Sequence, residues 1–211
     1  DVSKQKKDEQ KLKYHQEHLR LINRILRHDL ANGLSIILAS VGNYELNNAP
    51  ENLDNIKRGV NKCTSIIRQM HEYEDFIQSY SNLLPIQIRP IVETIFHDFQ
   101  TRHPDIHFSV TGNAAAMANM SISSVLENLI RNAVQHGRPD HVMVTISRQG
   151  SGCRIRVEDT GKGIPDQIKA HVFDEQFIYG DSSNTGLGLF IVKTAVENMG
   201  GSIHILDNTP Q

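Results

Sequence analysis

The sequence predicts an α+β protein of two domains. Residues 1–80 form a helical hairpin that becomes a four-helix bundle when two chains pair, and residues 81–211 form a mixed α/β domain. Three observations predict this. Two apolar stripes run at helical spacing through the first 70 residues. A stretch rich in asparagine and proline separates them. Beyond residue 80, strand-like alternation is interleaved with helical segments and glycine-bearing loops.

The first stripe is Leu12, Leu19, Ile22, Leu26, Leu30, Leu34, Ile37, Val41 and Tyr44, and after Leu19 its intervals are three or four residues. Such a stripe marks one face of a long helix. The segment Asn47-Asn48-Ala49-Pro50-Glu51-Asn52 breaks it, because proline and asparagine favour turns. A second stripe follows through Leu53, Ile56, Val60, Cys63, Ile67 and Met70. Two helices with heptad seams and a short connection predict an antiparallel hairpin. One hairpin buries its seams poorly, so a homodimeric four-helix bundle completes it. From Ile22 to Leu34 three successive intervals of four make a stutter, which locally unwinds a supercoil. His28 lies inside the stutter but off the stripe, and Gly33 follows it.

In the second half, residues 90–101 read as an amphipathic helix and 106–110 as a strand. Ser121 is the expected N-cap of a helix reaching about His136. Residues 141–148 and 153–158 alternate as two strands, followed by a glycine loop, a short helix and a second glycine loop. A helix from about Gly188 to Met199 ends at Gly200-Gly201, and a last strand is expected through Ile203 and Ile205. Residues 78–85 read as the interdomain linker.

Composition removes several classes of function. Lys plus Arg (22) and Asp plus Glu (24) leave a net charge of -2, without the basic excess of a nucleic-acid binder. The cluster Lys4, Lys6, Lys7, Lys11 and Lys13 is diluted by acids and reads as a solvated helix face. Cys63 and Cys153 have no metal-ligand spacing and fit reduced thiols in the cytoplasm. No apolar run approaches a membrane span. The chain opens in helical composition, as expected of a piece of a larger protein, so membrane contact is expected only through an upstream sensor.

Four patches in the second half carry candidate chemistry. In Glu127-Asn128-Leu129-Ile130-Arg131-Asn132-Ala133-Val134-Gln135-His136, Asn128 and Asn132 share a helix face. Paired amide oxygens suit Mg²⁺ or phosphate-bound water, although two surface asparagines would look the same. Asp159-Thr160-Gly161-Lys162-Gly163-Ile164 follows a strand and offers an acceptor beside a backbone that can approach a flat ligand. An Asp-Gly turn is the plainer reading. Val172-Phe173-Asp174-Glu175-Gln176-Phe177 pairs aromatics that would ordinarily be core. Asn184-Thr185-Gly186-Leu187-Gly188-Leu189 opens a helix whose first N–H groups suit phosphate.

In order, these patches resemble the N, G1, F and G2 boxes of the histidine-kinase ATP-binding domain, whose fold is shared with gyrase, heat-shock chaperone 90 and the MutL repair proteins. The resemblance covers nearly all of residues 86–211. It implies an α/β sandwich with three helices on one face of a mixed sheet, binding ATP and Mg²⁺. It makes Asn132 the Mg²⁺ ligand with Asn128 beside it, and Asp159 the reader of adenine. Gly161, Gly163 and Ile164 would shape the base pocket. Thr185, Gly186, Leu187, Gly188 and Leu189 would lie along the phosphates, with residues 178–185 as a mobile lid.

The first half then gains a meaning. His28-Asp29-Leu30-Ala31-Asn32 resembles the H box of the phosphoacceptor hairpin. A neutral imidazole is a nucleophile towards phosphoryl groups, and Asp29 could fix its tautomer. The resemblance gives Asn32 the orienting of water that dephosphorylates a response regulator. It also implies phosphotransfer from His28 to an aspartate of the regulator's receiver domain. His97-Asp98 and His71-Glu72 match the H box only in part, and neither has a long seam on both sides. The pattern departs in two places. Gly33 stands where many members have proline, and Gln135 where the N box often has lysine. No Lys or Arg lies between Phe173 and Val192, which leaves Arg131, Arg138 and Lys162 as candidate cations. Two other readings stand beside autokinase activity. One is an ATPase of the same fold, disfavoured because Asn128 stands where those relatives carry a glutamate base. The other is a catalytically weak nucleotide-binding dimerisation module.

Overall fold

The computed structural model describes residues 30–78, 83–150, 152–175, 177 and 188–208. The described residues fall into two compact units, one ending at His71 and the other starting at Glu72.

The first unit is a hairpin of α1 (Ala31–Asn47) and α2 (Pro50–Gln78) as far as His71. Asn48 ends α1 in the left-handed region at φ 51, which asparagine tolerates better than most side chains. The Asn47 side-chain oxygen accepts from Ala49 N at 3.0 Å and from Asn52 Nδ2 at 3.2 Å. Pro50 then opens α2 where its missing N–H costs nothing.

Within one chain the hairpin buries a face rotated from the expected stripe. Gly33 and Ser40 are buried on α1 with Ile37 and Tyr44 half-buried. Opposite them lie Ile56, Gly59, Cys63, Ile66 and Met70. Leu34 and Val41, assigned by spacing to the seam, are exposed, as are Leu53, Val60 and Ile67 at 41, 47 and 49%. Within one chain the expected stripes are therefore divided, with Ile37, Tyr44, Ile56, Cys63 and Met70 inside the seam. Small residues enter the intrachain seam, and part of the leucine-and-valine stripe stays outside it. The cause is close helix approach. A Cβ at Gly33 would lie 2.6 Å from Cys63 Sγ, and one at Gly59 would lie 2.5 Å from Ile37 Cγ1. Gly33 thus admits a neighbouring helix, a role beyond the local softening that its place after the H box suggests.

The second unit comprises β1 (Leu84–Gln87), α3 (Ile88–Arg102), β2 (His107–Gly112), β3 (Ala115–Ala118) and α4 (Ile122–Asn132). After a π-helical turn (Ala133–Gly137) come β4 (His141–Gln149), β5 (Gly152–Asp159), α5 (Asp166–Lys169) and α6 (Gly188–Asn198). The main sheet has the order β2-β4-β5, with β2 parallel to β4 and β5 antiparallel to it. A strand pair not foreseen from sequence, β1 with β3, is antiparallel with Leu84 opposite Ala118. It begins inside the segment read as linker.

Val142, Val144 and Ile146 bury one face of β4, while Met143 between them is exposed. On α3, Ile88, Val92, Ile95, Phe96 and Phe99 are buried, and the rings of Phe96 and Phe108 sit 5.2 Å apart. Ile122, Val125, Leu126 and Ile130 of α4 join Ile191, Val192 and Ala195 of α6 in the same core. By area, each such side chain contributes about 1.5–3 kcal/mol.

Two expectations need correction. Ser121 occupies the N-cap position of α4 but makes no side-chain cap, because its Oγ donates to Asn119 Oδ1 at 2.5 Å. The last strand is missing among the described residues. Ile203 and Ile205 are half-buried and alternate with exposed His204 and Leu206, yet the segment joins no ladder. Alternation fixes which face a side chain takes, whereas a strand also needs a backbone partner.

Candidate functional site

The first and second patches meet at two glycines. The π-helical turn ends at Gly137, and the loop after β5 lies directly on it. A Cβ at Gly161 would run into the Cα, C and O of Gly137, while one at Gly137 would sit 2.7 Å from Asp159 Oδ1. Backbone therefore rests on backbone, and Lys162 N donates to Gly137 O at 3.2 Å. Asp159, half-buried at the end of β5, accepts from Gly161 N through Oδ1 at 2.9 Å. Its second carboxylate oxygen has no hydrogen-bond partner among the described residues. Thr160 Oγ1 accepts from the amides of Asp140 and His141 at 3.2 and 3.1 Å, tying the loop to the start of β4.

The helix patch divides its two asparagines. Asn128, 2% exposed, lies where α4 meets α6, beside Ser121, Ser124, Val125, Ile191, Val192 and Ala195. Its Nδ2 donates to Ser124 O at 3.2 Å and its Oδ1 accepts from Arg131 Nη2 at 2.5 Å. Arg131 also pairs with Glu127 at 3.3 Å and is 14% exposed, so that cation is engaged along α4 itself. Asn132 is half-buried as the last residue of α4, immediately before the π-helical turn. Of the other candidate cations, Arg138 sits in the left-handed region at φ 50 and Lys162 is exposed.

Gly163 adopts φ +70 with open space around it, and Ile164 beyond it is 37% exposed. Gly188 and Leu189 open the described part of α6. Phe173 is half-buried and Val172 buried. Asn32 is exposed on α1, beside the buried Gly33. His28, Asp29, Thr185, Gly186, Leu187 and the lid at 178–185 lie outside the described residues.

Sequence reasoning missed Gly137 and Thr160. The signal for Gly137 was available, since a glycine directly after a helical run is the usual stop. Its contact with Gly161, 24 positions later, was not. Sequence reasoning also missed Asn208, whose Nδ2 donates to Asp159 O at 3.2 Å. Among the described residues no three histidines, cysteines or acids gather as a metal cluster. Cys63 is buried, and burial raises the Cys153 thiol above its ordinary value.

Residues 117–211 match the family described as histidine kinase-, DNA gyrase B-, and HSP90-like ATPase. The chain is 27% identical over 209 residues to the sensor histidine kinase YvrG of Bacillus subtilis, covering 87% of the chain and 35% of that protein. It is 30% identical over 171 residues to the sensor histidine kinase GlrK of Escherichia coli, covering 75% and 35%. It therefore spans about a third of the length of these relatives. The histidine kinase ThkA, solved in complex with the response regulator protein TrrA, shares the fold with a TM-score of 0.63. The two are 20% identical, over 93% of this chain and 60% of that one. No helix among the described residues is long and apolar enough to cross a membrane.

Proposed function

The chain carries a histidine-kinase catalytic core, an ATPase-family domain behind a helical hairpin homologous to those of sensor histidine kinases, and we propose that it phosphorylates its own His28 from ATP and passes the phosphoryl group to a receiver-domain aspartate of a response regulator. Residues 1–80 serve as the dimerisation and phosphotransfer domain, 81–211 as the ATP-binding domain, and the core works in the cytoplasm. The Gly137–Gly161 contact carries the reading. It joins the helix patch to the loop patch and fixes the Asp159 carboxylate against both.

In this reading the free oxygen of Asp159 accepts from the adenine amino group. The exposed face around Gly163 and Ile164 receives the base. The N–H groups opening α6, with Thr185, Gly186, Leu187, Gly188 and Leu189, follow the phosphates. Asn132 suits Mg²⁺, because that ion takes one or two hard oxygen donors alongside phosphate oxygens and water. Bound Mg²⁺ supplies positive charge against the transferring phosphoryl group. Asn128, buried and bonded to Arg131, holds the helix and cannot take a proton from water. That favours the kinase over the hydrolase reading. His28 attacks phosphorus through a neutral ring nitrogen, and Asp29 holds the other ring nitrogen as N–H while charge develops. The bond from phosphorus to the bridging oxygen of ADP breaks as the N–P bond forms.

Incubation with γ-labelled ATP tests this. The expected result is label on the protein that survives alkali and is lost in acid, as phosphohistidine requires. Release of free phosphate without protein label would place the chain with the hydrolases, and neither product would leave a binding module.

Homodimerisation follows from the exposed stripe Leu53, Val60 and Ile67, spaced by seven, with Leu34, Leu38 and Val41 exposed on α1. Ile67→Asp would place a carboxylate in that second seam, at a cost of about 3 kcal/mol or more. It should convert the dimer to monomer in sedimentation; a stable folded dimer would show that the stripe faces solvent.

Asn32, exposed on α1, orients water for removing phosphate from the regulator. Asn32→Ala should keep autophosphorylation while slowing dephosphorylation of a phosphorylated regulator. Equal loss of both would reduce Asn32 to a structural residue.

A further inference from the structure

The segment after α6 returns to the base-reading end of β5, where two polar contacts hold it. Asn208 Nδ2 donates to the main-chain oxygen of Asp159 at 3.2 Å. One residue earlier, Asp207 pairs with Lys169 Nζ, which also binds Asp166 at 2.5 Å. Lys169 ends α5, and α5 leads directly out of the 159–164 loop. Its side chain is only 18% exposed although it is a lysine, whereas Asp166 and Asp207 reach solvent. The stem of this lysine is covered while its ammonium lies between two exposed carboxylates.

We propose that Lys169, Asp207 and Asn208 form a clasp that positions Asp159 for reading the adenine ring. This deepens the proposed function and rests on Asp159 being the base reader. The mechanism is a closed chain of contacts. The Asp159 side chain is set from one side by Gly161 N and the Gly137 backbone. Its main chain is set from the other side by Asn208. Asp207 anchors Asn208, and Lys169 ties Asp207 to the helix that terminates the loop. All three are positioning residues, since they reach the ligand only through Asp159.

Hydrogen bonding to Asp166, then to Asp207, raises the Lys169 ammonium above its ordinary value, and Lys169 lowers the Asp166 carboxyl. The raised lysine keeps its contribution at neutral pH and loses it as pH climbs through its raised folded value. The lowered acid keeps its contribution at neutral pH and loses it as pH falls through its lowered folded value. The Lys169–Asp166 pair therefore keeps its contribution across the neutral range.

Inosine triphosphate supplies the probe, because it carries an oxo group where adenine carries the amino group. Affinity for ATP and for inosine triphosphate is measured on the whole chain, together with the thermal midpoint. The parent prefers ATP. Asn208→Ala and Lys169→Gln should each reduce that preference about three- to tenfold, the size of one lost hydrogen bond, with inosine triphosphate affinity unchanged. The exchange Lys169→Asp with Asp207→Lys should restore the preference that Asp207→Lys alone loses. Variants that keep the parent's ATP preference, or that weaken both nucleotides equally, overturn the clasp. A parent with no preference overturns the base-reading role of Asp159, and the clasp with it.

Discussion

His28→Gln should reduce protein labelling from γ-labelled ATP to background while nucleotide affinity stays at the parent value. Glutamine keeps the length and polarity of a helix side chain but has no nitrogen that can attack phosphorus. The proposed nucleotide-binding residues all lie between 128 and 189, so the substitution is expected to leave that site intact. His97 is the sharpest control, because His97-Asp98 repeats the acid after histidine and Thr101 stands four positions on. On α3 that threonine hydroxyl donates back to the His97 carbonyl at 3.1 Å, an ordinary helical bond. His97→Gln should therefore label as the parent does. Acid-labile phosphate mapped to another histidine in the His28→Gln chain would sink the assignment. Loss of ATP affinity in that variant would point to a structural role.

Gly161→Ala should be a severely damaging single-methyl change at the proposed ATP site. The added carbon meets main-chain atoms of Gly137, which no side-chain rotation can clear. Overpacking of this kind costs about 1–3 kcal/mol. Because the loop must lift, Asp159 loses the Gly161 amide and its place against Gly137. ATP affinity should fall about a hundredfold if some 3 kcal/mol is lost at the site. Gly163→Ala offers the comparison. It has open space but a φ of +70, so it incurs backbone strain of about 1 kcal/mol without a collision. Titration calorimetry on both variants checks the ranking. Equal affinities for the Gly161→Ala chain and the parent would remove the contact from the binding argument.

The hairpin shows why some of the architecture was legible and some was not. Spacing alone located both helices and the turn, because asparagine tolerates the left-handed φ at residue 48 and proline suits the first turn of α2. It did not say which apolar residues would meet. Leu34 and Val41 have the better hydrophobic credentials, yet Gly33 and Ser40 are the buried ones. Helices that touch through Gly33 and Gly59 come closer than large side chains allow, and this rotates the larger residues outward. Periodicity records hydrophobicity, whereas the seam was chosen by size.

In the ATP-binding unit, the sequence by itself determined the order of α3, β2, α4, β4, β5, α5 and α6 along the chain, the family of the domain and the identity of Asp159 as a candidate reader. These depend on local periodicity and on motifs whose residues are close neighbours. Tertiary structure alone decided three things. Ile203 and Ile205 alternate without a ladder, because a strand requires a partner's backbone. Asn128 turned into a helix interface while Asn132 stayed at the helix end, although both share a face by spacing. Asp159 acquired supports at Gly137, Asn208 and, through Asp207, Lys169. Each depends on atoms brought together from distant positions, and one such approach, Gly137 on Gly161, needs two residues with no side chain.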